Sequence, residues 1–200
     1  MNCKSTLACL AIAATSTVFA ADGGDLAARH CVRCHGADGL SPGPGTPYLN
    51  AQLATYLLQA NERLQAGRLP SKIPGHVPRD IDSGGLEALA EYYATLPAGQ
   101  PNQETDAGKV ARGREIYGER CNDCHLDNGR GSDKDAPLMA GQDLAYLIEQ
   151  SQLFMSGKRP FAFLQDEAFK GLTSADLEAV AHFFAAQDSV SPKAPGRKRR

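Results

Sequence analysis

Cys31-Val-Arg-Cys34-His35 and Cys121-Asn-Asp-Cys124-His125 share the pattern C-x-x-C-H, the second copy offset from the first by 90 positions. Two thiols one helical turn apart can add across the two vinyl groups of a haem. The histidine after the second thiol then faces the iron as proximal ligand, so five residues supply a covalent tether and a metal bond. Cysteine pairs have other uses. A redox-active C-x-x-C needs a thioredoxin-like βαβ setting, which the pattern around these pairs lacks. A Cys/His zinc site would have to join pairs that lie in separate repeats. Structural disulfides require no histidine after each pair. The spacing therefore predicts two covalently attached haem c groups, one on Cys31 and Cys34 with His35, the other on Cys121 and Cys124 with His125.

The repeat extends well beyond the motifs. At the same offset Gly39 meets Gly129, Pro47 meets Pro137, Gln52 meets Gln142, Tyr56-Leu57 meets Tyr146-Leu147, and Gly67 meets Gly157. One extra residue in the second half changes the offset to 91, and Leu86, Leu89-Ala90 and Tyr92-Tyr93 then meet Leu177, Val180-Ala181 and Phe183-Phe184. Two tandem copies of one small haem domain explain this better than one large core. Each copy reads as helical, with a first helix ending on the attachment motif (26–34 and 110–124). A loop follows, then an amphipathic segment (51–65 and 142–156) closed by Gly67 or Gly157, a second turn-rich loop, and a final helix (86–96 and 175–186). Thr173 and Asp176 suggest a capping box ahead of the last helix. The expected organisation is 22–96 for the first domain, 97–107 for a polar linker rich in turn formers, and 108–188 for the second domain. A domain of this size has a meagre core of its own, and a covalently held haem supplies an apolar centre.

The flanks carry different signals. A weakly positive head, an uncharged apolar stretch over 7–19 and the small residues of Val18-Phe19-Ala20 read as a secretory signal peptide covering 1–21, which implies export to the periplasm. Its removal takes Cys3 and Cys9 with it, so the mature chain keeps the four cysteines of the two motifs. The 200 residues are 42 % hydrophobic and 22 % charged, without tryptophan and with a net charge of −2. That composition excludes collagen-like, coiled-coil and wholly disordered classes and does not suit a nucleic-acid binder. No apolar run of transmembrane length is present. Charge is unevenly spread: residues 22–188 hold 15 basic against 23 acidic side chains, while the tail 189–200 is basic. An acidic body steers toward basic docking faces, and the tail is either a solvated end or a peripheral contact for anionic lipid or an acidic partner.

The duplicated pattern resembles the dihaem class I cytochromes of the cytochrome c4 type, and is similar to the haem subunit of flavocytochrome c sulfide dehydrogenases. The resemblance spans about 26–187. It is carried by the two C-x-x-C-H motifs, Pro137-Leu138-Met139-Ala140-Gly141-Gln142, Ser156-Gly157-Lys158-Arg159-Pro160, and Lys170-Gly171-Leu172-Thr173-Ser174-Ala175-Asp176-Leu177 with the helix after it. It implies an all-α fold of two tandem cytochrome c domains. It further implies that the carbonyls of Pro47 and Pro137 orient the proximal histidines, the kind of outer contact that fixes a ring and tunes a metal.

The pattern departs from the resemblance at the sixth iron ligand, which family members take from a methionine in the loop before the last helix. In the first copy that loop holds no methionine but does hold His76, the candidate ligand of haem one; the alternative is a solvated loop histidine. Two imidazoles give a lower potential than a His/Met pair, because methionine raises it. In the second copy, residues 161–171 contain neither methionine nor histidine. Met139 stands at the Leu49 position on the proximal side; Met155, at the Gln65 position, reads as packing and Lys170 and His182 as surface residues, with iron ligation by one of these three as the alternative. Gln165, Asp166 and Glu167 are that segment's candidate distal polar groups.

These readings point to an electron carrier that passes single electrons between periplasmic redox proteins, a dehydrogenase on one side and an oxidase or reductase on the other, and not to an enzyme. Two alternatives stand beside it. One is the haem-bearing subunit of a flavin-dependent sulfide dehydrogenase, with a flavoprotein partner. The other is a haem enzyme or ligand sensor that uses an open haem-two iron.

Overall fold

A computed structural model describes residues 22–133, 135–161 and 165–189. The expected signal peptide and all but the first residue of the basic tail lie outside the described residues. Every described element is helical, and the fold is all-α in two repeats of like construction.

The first repeat begins with α1 (Gly23–His30), started by Asp22, whose carboxylate accepts from the amides of Gly24 at 2.7 Å and Asp25 at 3.2 Å. Such a side chain satisfies amides that have no partner within the helix. The sequence reading ran this helix unbroken to Cys34. Instead the chain bends at Cys31 (φ −118°) and restarts as α2 (Val32–His35), which closes on Gly36 at φ 75°. In the second repeat α5 (Ala107–Arg120), capped by Asp106, likewise stops before Cys121, and an irregular turn, α6 (Leu126–Gly129), with Asp127 and Asn128 in the left-handed region, follows the motif. The middle helices are α3 (Ala54–Gln65) and α7 (Leu144–Met155), and the final helices are α4 (Ser83–Thr95) and α9 (Ser174–Ala185). Thr173 and Asp176 form the capping box reciprocally. The loop before α9 contains a short helix absent from the sequence reading, α8 (Gln165–Phe169).

Each repeat has its own core. Leu26, Leu57, Ile81, Leu86, Leu89 and Tyr93 centre the first, and Ile116, Tyr117, Leu147, Val180, Phe183 and Phe184 centre the second. In both, the first and last helices cross at a glycine. An alanine Cβ at Gly113 would lie 2.1 Å from the Ala179 carbonyl oxygen, and one at Gly23 would lie 2.1 Å from that of Ala88. These positions are repeat equivalents, so the same close backbone approach is built twice.

The repeats are clasped by a pair of equivalent glutamines. Gln52 Nε2 donates to the Leu138 carbonyl at 2.9 Å and its Oε1 accepts from the Leu138 amide at 2.9 Å. Gln142 does the same to Tyr48, at 3.0 and 2.8 Å, and Tyr48 is the Leu138 equivalent. Each side chain thus replaces a strand-like pair of backbone bonds across a two-fold-like interface. The segment between the repeats is also tied down. Gln103 donates to the Gln142 carbonyl at 3.0 Å and accepts from the Leu144 amide, Gln100 donates to the Gln187 carbonyl, and Asn50 donates to those of Pro97 and Gly99. Side-chain amides of polar residues here perform the work that backbone pairing performs elsewhere.

Candidate functional site

In the first repeat the bend at Cys31 turns the motif onto α2, so that Cys31 is half-buried, Cys34 exposed and His35 buried. His35 Nδ1 donates to the Pro47 carbonyl at 3.0 Å. A carbonyl can only accept, so this bond holds the proton on Nδ1 and leaves the lone pair on Nε2. Burial holds the ring pKa below its ordinary value, the Pro47 contact opposing and His76 adding a little. The ring is therefore neutral, the form that binds metal.

His76 stands opposite. Its ring centroid is 5.9 Å from that of His35 with only 10° between the planes. Ser71 Oγ bonds its Nδ1 at 3.0 Å, and burial holds its pKa down as well. The loop that carries it is anchored by Gln65, whose amide donates to the carbonyls of Pro78 and Ile81, both at 2.8 Å. Lys72, in the same loop, reaches Glu149 on α7 at 2.7 Å, an exposed link to the other repeat.

The second repeat builds the proximal half in the same way. His125 Nδ1 donates to the Pro137 carbonyl at 2.9 Å, and burial lowers its pKa. The Tyr117 hydroxyl lies 2.8 Å from the His125 carbonyl and accepts from the Asn128 amide at 2.8 Å. That brace has no counterpart in the first repeat, where the equivalent residue is Ala27. Phe184 sets its ring at 5.9 Å from His125, inclined at 66°.

The remaining residues singled out in the sequence fall as follows. Met139 packs against the second core. Met155 is 44 % exposed. Lys170 is exposed and pairs with Glu167; Asp166 and Glu167 face solvent, and Gln165 is half-buried. His182 is not on the surface as expected. It is buried in α9, and its Nδ1 accepts from the Asp106 amide at 3.1 Å, which joins the start of α5 to the last helix. The period of an amphipathic helix shows which face is apolar, but not that a neighbouring helix end covers a histidine on it.

Sequence reasoning missed a cluster between the repeats. Arg159 is hydrogen-bonded to Gln150 and to the hydroxyls of Tyr56 and Tyr146, one tyrosine from each repeat, with its guanidinium 4.9 Å over the Phe154 ring. Burial pushes the Tyr146 hydroxyl pKa well up. The signal available was that Tyr56 and Tyr146 are exact repeat equivalents, whereas Leu69 stands at the Arg159 position.

Whether a haem fits can be judged from these groups. No disulfide joins the four motif cysteines, so both pairs are available for thioether attachment. Among the described residues no group of three or more His, Cys, Asp or Glu side chains could hold a bare ion. The residues that would hold a haem in the first repeat are the Cys31 and Cys34 thiols and His35, with His76 near-parallel to His35 at 5.9 Å between ring centroids. The buried Tyr93 hydroxyl lies against Cys31, so the first thiol of the motif stands at the wall of the first core.

Comparison with known proteins agrees. No family model matches the chain. It is 27 % identical over 184 residues to the thiosulfate dehydrogenase electron acceptor of Thiomonas intermedia, covering 86 % of this chain and 84 % of that one. It is 32 % identical over 146 residues to cytochrome c4 of Azotobacter vinelandii, covering 64 % and 69 %. Among solved structures, reduced recombinant cytochrome c4 from Pseudomonas stutzeri superposes with a TM-score of 0.72 at 26 % identity, over 82 % of this chain and 96 % of that one. Two helical repeats, each with a carbonyl-anchored histidine beside a thiol pair, define a dihaem class I cytochrome c that carries two covalently bound haem c groups and transfers electrons. Within that class, the chain belongs to the cytochrome c4 family.

Proposed function

We propose that this cytochrome is exported to the periplasm and relays single electrons from a dehydrogenase of sulfur compounds to a downstream oxidase or reductase. In this reading Cys31 and Cys34 tether haem one, Cys121 and Cys124 tether haem two, and His35 and His125 are the proximal ligands. Pro47 and Pro137 hold the two rings, and His76 is the sixth ligand of haem one. The observation that carries the ligand assignment is the pair of near-parallel rings of His35 and His76, each with Nδ1 engaged by its own loop. The donor class is supported by the likeness to a protein named as the electron acceptor of thiosulfate dehydrogenase. The domain limits 22–96 and 108–188 are supported by the two separate cores.

The bound haems supply one-electron chemistry. The chain supplies the rest. Nδ1–H donation to a carbonyl keeps each proximal imidazole neutral and fixed in rotation, so little reorganisation accompanies a change of charge. The glutamine clasp and the pinned inter-repeat segment hold the two sites at one separation. Two nitrogen ligands place haem one below a His/Met site in potential. A spectroelectrochemical titration of the holoprotein tests this. His76→Met is expected to raise one of two one-electron waves and leave the other in place; two unchanged waves would overturn the assignment. Reduction of the holoprotein by a thiosulfate dehydrogenase turning over thiosulfate checks the donor, and the N-terminal residue of the mature protein checks export.

A further inference from the structure

The distal halves of the two repeats are built differently. In the first, Ser71 bonds the ring of His76. At the repeat offset Phe161 replaces Ser71. The His76 position falls on Asp166 or Glu167, which face solvent on the first turn of α8. The second repeat has lost both the distal imidazole and the hydroxyl that would orient one.

No other soft donor among the described residues takes over. Met139 follows Pro137 on the proximal side and packs into the core. Met155 is exposed, at the position from which Gln65 reaches down the loop to Pro78 and Ile81. Lys170 is exposed beside Glu167, and His182 is engaged by Asp106. Residues 162–164, by sequence Ala, Phe and Leu, carry no ligating side-chain atom.

The loop that carries Ser71 and His76 in the first repeat carries hydrocarbon in the second. Phe154 at the end of α7 stacks on Phe161, 5.3 Å between centroids and 5° between planes, and Phe169 of α8 packs edge-on against both, at 5.5 and 5.3 Å. Their counterparts at the same offset are Leu64, Ser71 and Arg79, so this aromatic cluster is particular to the second repeat. Apolar walls of this kind penalise a charged ligand, which would lose its hydration, and the one cation against the cluster, Arg159 over Phe154, is already engaged by Gln150, Tyr56 and Tyr146. An uncharged ligand pays no such cost.

We infer that haem two keeps its distal position for an exogenous, small, uncharged ligand of the diatomic π-acceptor class, taken up under the Phe154–Phe161–Phe169 cluster. The inference rests on the assignment of haem two to Cys121, Cys124 and His125.

The test is carbon monoxide titration of the dithionite-reduced holoprotein, read in the Soret band, with association rates from flash photolysis. One equivalent per chain is expected. Phe161→Ala, a substitution at a partly exposed site, is expected to speed carbon monoxide association several-fold. His76→Ala is expected to add a second equivalent. No uptake by the wild-type protein, or one equivalent whose rate ignores Phe161→Ala, overturns the inference while leaving haem one as assigned. Two equivalents in the wild-type protein, one of them sensitive to Phe161→Ala, support the inference and overturn the role given to His76.

Discussion

Replacing Gly113 with alanine drives a methyl group into a backbone that has no room for it. The new Cβ would lie 2.1 Å from the Ala179 carbonyl oxygen, 2.6 Å from its carbon and 2.8 Å from Phe183 Cβ, where ordinary contact begins at 3.4 Å. Relief requires α5 and α9 to part by more than about 1 Å, which unseats the neighbouring Ile116 and Phe183, the two largest fully buried side chains. Overpacking against backbone costs about 3 kcal/mol or more, and only about 1 kcal/mol returns from the better helix propensity of alanine. A net loss of about 2 kcal/mol or more lowers the midpoint of a domain this small by roughly 8–16 °C. The same helix contains its own control. Gly118 is exposed with nothing within 4 Å of a built Cβ, so Gly118→Ala is expected to stabilise by about 0.5–1 kcal/mol. Differential scanning calorimetry of the holoprotein reads both, and Gly23→Ala gives the matching experiment on the first repeat. If Gly113→Ala and Gly118→Ala shift the midpoint in the same direction, the close crossing of α5 and α9 is wrong and so is the argument built on it.

Other consequences can be checked in the same material. Gln52→Ala strands the Leu138 amide and carbonyl at the interface and is expected to cost about 2 kcal/mol or more in denaturant unfolding, with Gln142→Ala equivalent because its bonds to Tyr48 are the same. His182 is held below its ordinary pKa mainly by burial and secondarily by Lys109, with Glu178 and Asp106 opposing. Because its folded pKa is the lower one, its contribution is present above about pH 6.5 and is lost as pH falls from there toward the folded value. His182→Asn, which keeps an acceptor for the Asp106 amide, should flatten that part of the stability–pH curve; an unchanged slope would assign it to other groups. Pro47→Ala keeps the carbonyl that His35 uses and is expected to leave the haem-one spectrum intact, whereas His35→Ala is expected to remove the low-spin signal of the bis-imidazole haem one.

What could be read from the chain follows from how local each feature is. Attachment chemistry needs five consecutive residues, so both C-x-x-C-H motifs were visible at once, as were the Thr173–Asp176 cap and the middle helices. The break at Cys31 was not visible, because α1 and α2 share one helical period and only the turn of the motif toward the core interrupts it. His182 was misplaced for a related reason: its burial comes from the start of α5, 76 positions earlier in the chain.

By itself, then, the amino-acid sequence determined the duplication, the helical class, the two thiol pairs and their histidines, since each rests on spacing within a few residues or on one constant offset. The tertiary structure alone decided the partners. His76 faces His35 across 41 positions because Ser71 and Gln65 hold its loop. Tyr56 and Tyr146 share Arg159, and Gln52 and Gln142 exchange places across the interface, because two like surfaces meet about a two-fold-like axis. Such contacts depend on where separate helices pack, and packing is decided by the shape of both cores together and not by any one segment.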